Sequence, residues 1–167
     1  MPKIVISGCN GRMGQVLTHM FSERDGCQVV AGFDLLAENR CGYPVYADPM
    51  EYAGPADVVV DFSSSAALSG LLSYCVRRTL PLVVCTTGHS PDQLEELRRA
   101  SAIIPVFKSG NMSLGINLLT VLVGKAAAVL GQSFDVEIVE RHHRMKVDAP
   151  SGTALMLADA ADRKSVV

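Results

Sequence analysis

Between Glu140 and Leu155 the chain reads ERHHRMKVDAPSGTAL, and Arg141, His142, His143, Arg144 and Lys146 fall within six consecutive positions. The whole chain carries a net charge of only −2. The positive potential is therefore local, and no global pull toward nucleic acid or anionic membrane is expected. Metal chelation fits poorly: the adjacent His142 and His143 diverge, no third ligand lies nearby, and Lys146 would repel a cation. A nucleic-acid patch lacks interleaved aromatics and is flanked by Glu137, Glu140 and Asp148. An anion pocket fits better. Ser151, Gly152 and Thr153 open a helical run after Pro150, so their N–H groups can hold a carboxylate or phosphate that Lys146 and the histidines also face. A histidine titrating near neutrality can in addition deliver a proton. A solvated structural loop is the alternative that composition alone leaves standing.

A second constellation lies at the other end of the chain. ISGCNGRMGQVL puts Gly8, Gly11 and Gly14 between an apolar run and a helical run, with Cys9, Asn10, Arg12 and Met13 between the glycines. Glycines allow a tight turn and a close backbone approach to a pyrophosphate, whose charge then sits on the helix N-terminus. The spacing is G-x-x-G-x-x-G rather than G-x-G-x-x-G, and alone it describes an ordinary glycine-rich turn equally well. Asp34 supplies context: it ends the next apolar run, 20 residues beyond Gly14, where a carboxylate can accept hydrogen bonds from an adenosine ribose. No basic residue follows Asp34 before Arg40, so NAD(H) is favoured over NADP(H). Arg12 keeps NADP(H) open by its reach toward a 2′-phosphate. The ends of later strands should face the cofactor too, which adds Phe62-Ser63, Cys85-Thr86-Thr87-Gly88 and Ser109-Gly110-Asn111-Met112.

The elements that must position these groups follow from the apolar pattern. Residues are 49% apolar and 19% charged, the composition of a core-forming chain. Continuous apolar runs at 3–7, 27–33, 57–62 and 81–87, and a shorter one at 103–107, suit strands buried on both faces. They alternate with helical periodicity from Arg12, after Ser63-Ser64-Ser65 and after Ser90-Pro91, which predicts a Rossmann-type doubly wound parallel sheet over residues 1–112. From residue 113 the pattern changes. A long apolar helix from Leu114, expected to be buried and too interrupted to span a membrane, precedes FDVEIVE, where alternation predicts a strand over 134–140 with one wet face. Residues 113–167 thus read as the start of an α+β substrate domain, too short to close a sheet, with an exposed strand edge and uncovered apolar side chains. Five scattered cysteines suit reduced thiols in a cytoplasm, and because the N-terminus enters a strand directly no secretory leader is expected.

Taken together, GCNGRMG, TTG, SGNMSLGIN and ERHHRMKVDAPSGTA resemble the motifs of the 4-hydroxy-tetrahydrodipicolinate reductase (dihydrodipicolinate reductase) family over residues 1 to about 160. The resemblance implies an NAD(P)H-dependent oxidoreductase of lysine and diaminopimelate biosynthesis. Hydride passes from the nicotinamide to a ring substrate bearing two carboxylates, with loss of water. It implies His142 as proton donor or acceptor and Lys146 as a second catalytic group, with His143, Gly152 and Thr153 on substrate. It also implies a cytoplasmic homotetramer with no metal. Family members continue past the equivalent of residue 167, and many carry glycine where Cys85 stands. A non-catalytic nucleotide-binding module is the main rival reading. A different reductase of the same fold would share the glycine loop but gives no account of HHRMKVDAPSGTA.

Overall fold

The computed structural model of the chain describes residues 1–144, 146 and 149–162. It divides into two compact units, Met1–Ser109 and the residues from Gly110 onward. In the first, β1 (Lys3–Ser7), α1 (Arg12–Ser22), β2 (Gln28–Phe33), β3 (Val45–Tyr46), β4 (Val58–Asp61), α2 (Leu68–Arg78), β5 (Leu82–Val84), α3 (Pro91–Ala100) and β6 (Val106–Lys108) follow in turn. The strands form a parallel sheet in the order β3-β2-β1-β4-β5-β6. The chain winds outward from β1 to β3, then crosses back over β1 to β4. The loops leaving β1 and β4 therefore diverge, and a crevice opens at the carboxyl ends of those strands.

Successive side chains on each strand serve opposite faces, and both faces are apolar. Val5, Ala31, Phe33 and Val59 pack with Leu68, Leu71 and Tyr74 of α2 and Leu97 of α3. Ile4 and Ile6 turn the other way, toward Leu17 and Phe21 of α1. The doubly wound sheet expected from the continuous apolar runs is the sheet observed. α3 starts as its sequence dictates: the Ser90 hydroxyl accepts the Gln93 N–H, and the Gln93 side chain accepts the Ser90 N–H, with Pro91 in the first turn. α2 does not start on its serines. A 3-10 turn at Ser65–Ala67 precedes it, no side-chain cap forms, and the Ser63 hydroxyl donates instead to Asp61. The two-residue β3 had no periodic signal in the sequence.

The second unit differs more from expectation. α4 (Leu114–Leu130) and α5 (Gly152–Asp162) pack through small residues: Ala127, Ala154 and Ala161 are buried, and a Cβ on Gly124 would lie 3.4 Å from the Ala160 carbonyl. A single partner helix covers a single stripe. Ala127 is the one buried residue of α4, while Leu118, Val121 and Leu122 are exposed, contrary to the buried helix expected. Residues 134–140 form no strand, and among the described residues of this unit there is none. The alternation is real, but a strand exists only as part of a ladder, and no described segment pairs with it. Phe134, Val136 and Ile138 are accordingly 56%, 50% and 42% exposed. Among the described residues no helix is long and apolar enough to cross a membrane.

One side chain ties α2 to the approach to β4. The Arg78 guanidinium donates to the carbonyls of Tyr52 (2.9 Å) and Gly54 (2.7 Å) and to the Tyr74 hydroxyl (2.8 Å), and stacks over both rings. Arg78→Ala leaves these part-buried acceptors without their donor and is expected to lower unfolding free energy by roughly 2–3 kcal/mol in denaturant titration. Arg78→Lys should recover less than half of that, because an ammonium cannot fork between two carbonyls.

Candidate functional site

The crevice between the ends of β1 and β4 is a cleft of about 440 Å³, within the range of small-ligand sites. Gly8 and Gly11 line it from the β1–α1 loop, Phe62, Ser63 and Ser64 from the chain leaving β4, and Asp34 and Leu35 from the end of β2. Gly8 takes φ +77°, and a Cβ there would lie 2.6 Å from the Phe62 carbonyl oxygen, so only glycine permits this approach. Gly14 brings α1 equally close, since its Cβ would fall 2.6 Å from Cys9 Cα. α1 therefore begins directly behind the loop. It has no acidic residue in its first turn and no side-chain cap, which leaves its N-terminal dipole available to a phosphate.

Two carboxylates fix this cradle. Asp61 is 1% exposed, and its Oδ1 accepts the Ser63 N–H (3.1 Å) and hydroxyl (2.5 Å), which sets the turn that lies on Gly8. Asp34 Oδ2 accepts the Asn10 N–H at 3.0 Å, and its Oδ1 the Leu36 N–H at 3.2 Å. Asn10 completes the tie: its Nδ2 donates to the carbonyls of Leu36 (2.7 Å) and Glu38 (3.1 Å). The expected ribose acid and the expected pyrophosphate loop are thus joined by Asn10.

The remaining residues of the glycine loop divide by exposure. Arg12 and Met13 are exposed at the start of α1. Cys9 is wholly buried, and its thiol is pushed up to about 12 by burial and by Cys41, so only its backbone can meet a ligand. Cys85, Thr86 and Thr87 follow β5, one strand beyond the cleft, and do not line it. Burial, with Asp61 adding to it, raises the Cys85 thiol to about 11. The Thr86 hydroxyl and both ring nitrogens of His89 are buried without a hydrogen-bond partner among the described residues. Burial and Lys108 lower the His89 pKa against the pull of Asp61. Sequence reasoning passed over Asp61, His89 and the lining residues Ala66, Ala67 and Gly70. The run of small residues after β4 was the signal available for the last three.

In the second unit the basic loop is organised by Glu140. Its Oε1 accepts the Ser151 N–H at 2.9 Å, and its Oε2, buried and without a hydrogen bond among the described residues, lies 3.5 Å from His142 Nδ1. Ser151 caps α5, its hydroxyl accepting the Ala154 N–H at 3.1 Å. One of the N–H groups expected to receive a ligand anion is therefore already taken by the protein's own carboxylate. Thr153 Oγ1 accepts from Asn111 Nδ2 at 2.9 Å, which brings together two predicted site residues 42 positions apart. Asn111 Oδ1 in turn accepts the Ser113 N–H ahead of α4, so Met112 lies within that turn. The Lys146 N–H donates to the His143 carbonyl at 3.1 Å. Asp148 lies outside the described residues.

The hydrogen bonds from Ser151, then the charges of His142 and Lys146, hold the Glu140 carboxyl below its usual value of 4.5. A lowered folded-state pKa means a contribution to stability that is complete above 4.5 and lost as pH falls toward the folded-state value. Glu140→Gln should therefore lower the melting temperature near neutrality. The gap from the parent chain should narrow on acidification from about pH 7 to about pH 3, as thermal unfolding across that range would read.

Comparison with known proteins adds the family. Residues 2–112 match the model described as dihydrodipicolinate reductase, N-terminus, and residues 115–166 the model described as dihydrodipicolinate reductase, C-terminus. A protein named 4-hydroxy-tetrahydrodipicolinate reductase from Clostridium tetani is 44% identical over 95% of this chain and 62% of its own length. One of the same name from Caldanaerobacter subterraneus is 48% identical over 98% of this chain and 64% of its own. The solved dipicolinate-bound dihydrodipicolinate reductase of Paenisporosarcina sp. TG-14 superposes with a TM-score of 0.68 at 25% identity, over 98% of this chain and 66% of that one. The chain thus spans a little under two thirds of the length of the relatives it matches. With the glycine-lined cleft and the basic loop both inside the matched residues, the chain belongs to the dihydrodipicolinate reductase family.

Proposed function

We propose that this chain carries the nucleotide-binding unit and part of the substrate unit of an enzyme that reduces 4-hydroxy-tetrahydrodipicolinate to tetrahydrodipicolinate in lysine and diaminopimelate biosynthesis. The observation that carries the reading is Glu140, which joins the N-terminus of α5 to His142 and so gives the basic loop a built geometry rather than that of a solvated turn. A relative is solved with dipicolinate, a ring bearing two carboxylates. Arg141, His143, Arg144 and Lys146, with the first turn of α5 at Gly152 and Thr153, are the groups suited to such a dianion.

A bound nicotinamide would supply hydride. The cleft fits its dinucleotide, since the close approach at Gly8 and the N-terminus of α1 suit a pyrophosphate, and Asp34 suits a ribose. His142 turns Nδ1 toward Glu140, which leaves Nε2 as the nitrogen to exchange a proton with substrate. The carboxylate stabilises the imidazolium that such an exchange would form. Lys146 acts beside it as a second charge on the substrate or as a second proton donor. Ser109, Gly110, Asn111 and Met112 are read as further cofactor contacts, together with Cys85, Thr86 and Thr87. A homotetramer and a cytoplasmic location belong to the same reading, and the free thiols of all five cysteines agree with a reducing compartment.

NADH is read as the tighter cofactor, because a 2′-phosphate would meet Asp34 with like charge. The expected preference is about tenfold, roughly 1–2 kcal/mol, and fluorescence titration of both reduced cofactors would read it; equal or tighter NADPH binding would sink this point and direct attention to Arg12. For the chemistry, His142→Gln in the full-length enzyme is expected to lower kcat by roughly 10²–10⁴ while NADH affinity barely changes. A kcat within a few-fold of the parent would remove His142 from the catalytic role.

A further inference from the structure

We propose that Glu38 and Arg40 form a selectivity lock at the adenosine end of the cleft, in which the Glu38 carboxylate holds the Arg40 guanidinium away from a ribose 2′-phosphate that it would otherwise bind. The proposal rests on the reading of Asp34 as the residue that meets the ribose.

The hydrogen bonds beyond β2 bring Arg40 within range. Asp34 Oδ2 accepts the Asn10 N–H at 3.0 Å, and Asn10 Nδ2 donates to the Glu38 carbonyl at 3.1 Å. That same carbonyl accepts the Arg40 N–H at 3.0 Å. One carbonyl therefore joins the backbone of Arg40 to the residue bonded to Asp34. An extended arginine side chain spans about 7 Å from its Cα, enough to return along this chain of contacts toward the Asp34 carboxylate. It is instead turned onto its neighbour: Arg40 Nε donates to Glu38 Oε2 at 2.7 Å, and Nη2 pairs with the same oxygen.

The pairing works against a 2′-phosphate twice. It keeps a second carboxylate in the loop that follows Asp34, and it occupies a guanidinium whose fork suits phosphate oxygens. Leu35 and Leu36, 87% and 59% exposed, offer no polar group in compensation. Because the Glu38 and Arg40 side chains are 57% and 54% exposed, solvent screens their attraction, and the lock should amount to several-fold rather than orders of magnitude.

The test compares dissociation constants for NADH and NADPH, by nicotinamide fluorescence on the full chain, for the parent, Glu38→Gln, Arg40→Gln and the double variant. Neither substitution touches the Glu38 carbonyl that holds Asn10. Glu38→Gln is expected to raise the affinity for NADPH relative to NADH about three- to tenfold, and adding Arg40→Gln should abolish the gain. An unchanged ratio in Glu38→Gln overturns the lock. So does a gain that survives in the double variant, which would reflect charge removal alone or phosphate binding by Arg12. The reading of Asp34 fails separately, if the parent chain itself binds NADPH as tightly as NADH; the change of ratio on Glu38→Gln measures the lock in either case.

Discussion

The first unit depends on how closely two backbones can approach at one point. The turn after β1 rests on the Phe62 carbonyl with no side chain between them, because residue 8 is glycine in a left-handed conformation. β1 and β4 are neighbours wound in opposite directions, so their loops would ordinarily part and leave an open notch. The contact at Gly8 closes the floor of that notch. It brings the first turn of α1 over the cleft, and Asp61 keeps the opposing turn in place by accepting both donors of Ser63. Any side chain at position 8 would have to displace the end of β4, and with it the lining from Phe62 to Ser64.

The two units share one structural device. Asp34, Asp61 and Glu140 are carboxylates set next to backbone N–H groups that would otherwise end in loops. Each saturates a few donors and so stiffens a turn. Around them lie the start of α1 and Arg12 in the first unit, and Lys146 and the start of α5 in the second, the groups proposed above to meet a ligand. The internal acids and the cations near them are thus parts of one arrangement within a chain of net charge −2.

Much of this was legible in the sequence, for a physical reason. A strand buried on both faces must be apolar throughout, so VVV and LVV announced the parallel sheet wherever they ended. Ser90-Pro91-Asp92-Gln93 specifies its helix start by bonds made within four residues. The failures concern interactions whose second partner is remote or missing. The alternation of Phe134, Val136 and Ile138 states which face would be wet but cannot create the neighbouring strand. The hydrophobicity of α4 says nothing of how many helices will cover it. Asp61 and Glu140 look like ordinary surface acids in a linear reading. The burial of Asp61 and the partly buried place of Glu140 follow from the turns they bind, and the link from Thr153 to Asn111 joins residues 42 positions apart.

The parallel topology has one more implication. Every strand of the first unit delivers its chain to the edge that holds the cleft, so the returning connections gather on the other edge. Gly26, between α1 and β2, has φ +101° and open space around it, and the residues before it from Glu23 to Asp25 are exposed. Such a corner tolerates an inserted peptide, a dye or a tether to a surface. Because it sits a full strand length from the cleft, a reporter mounted there could follow the protein without entering its chemistry.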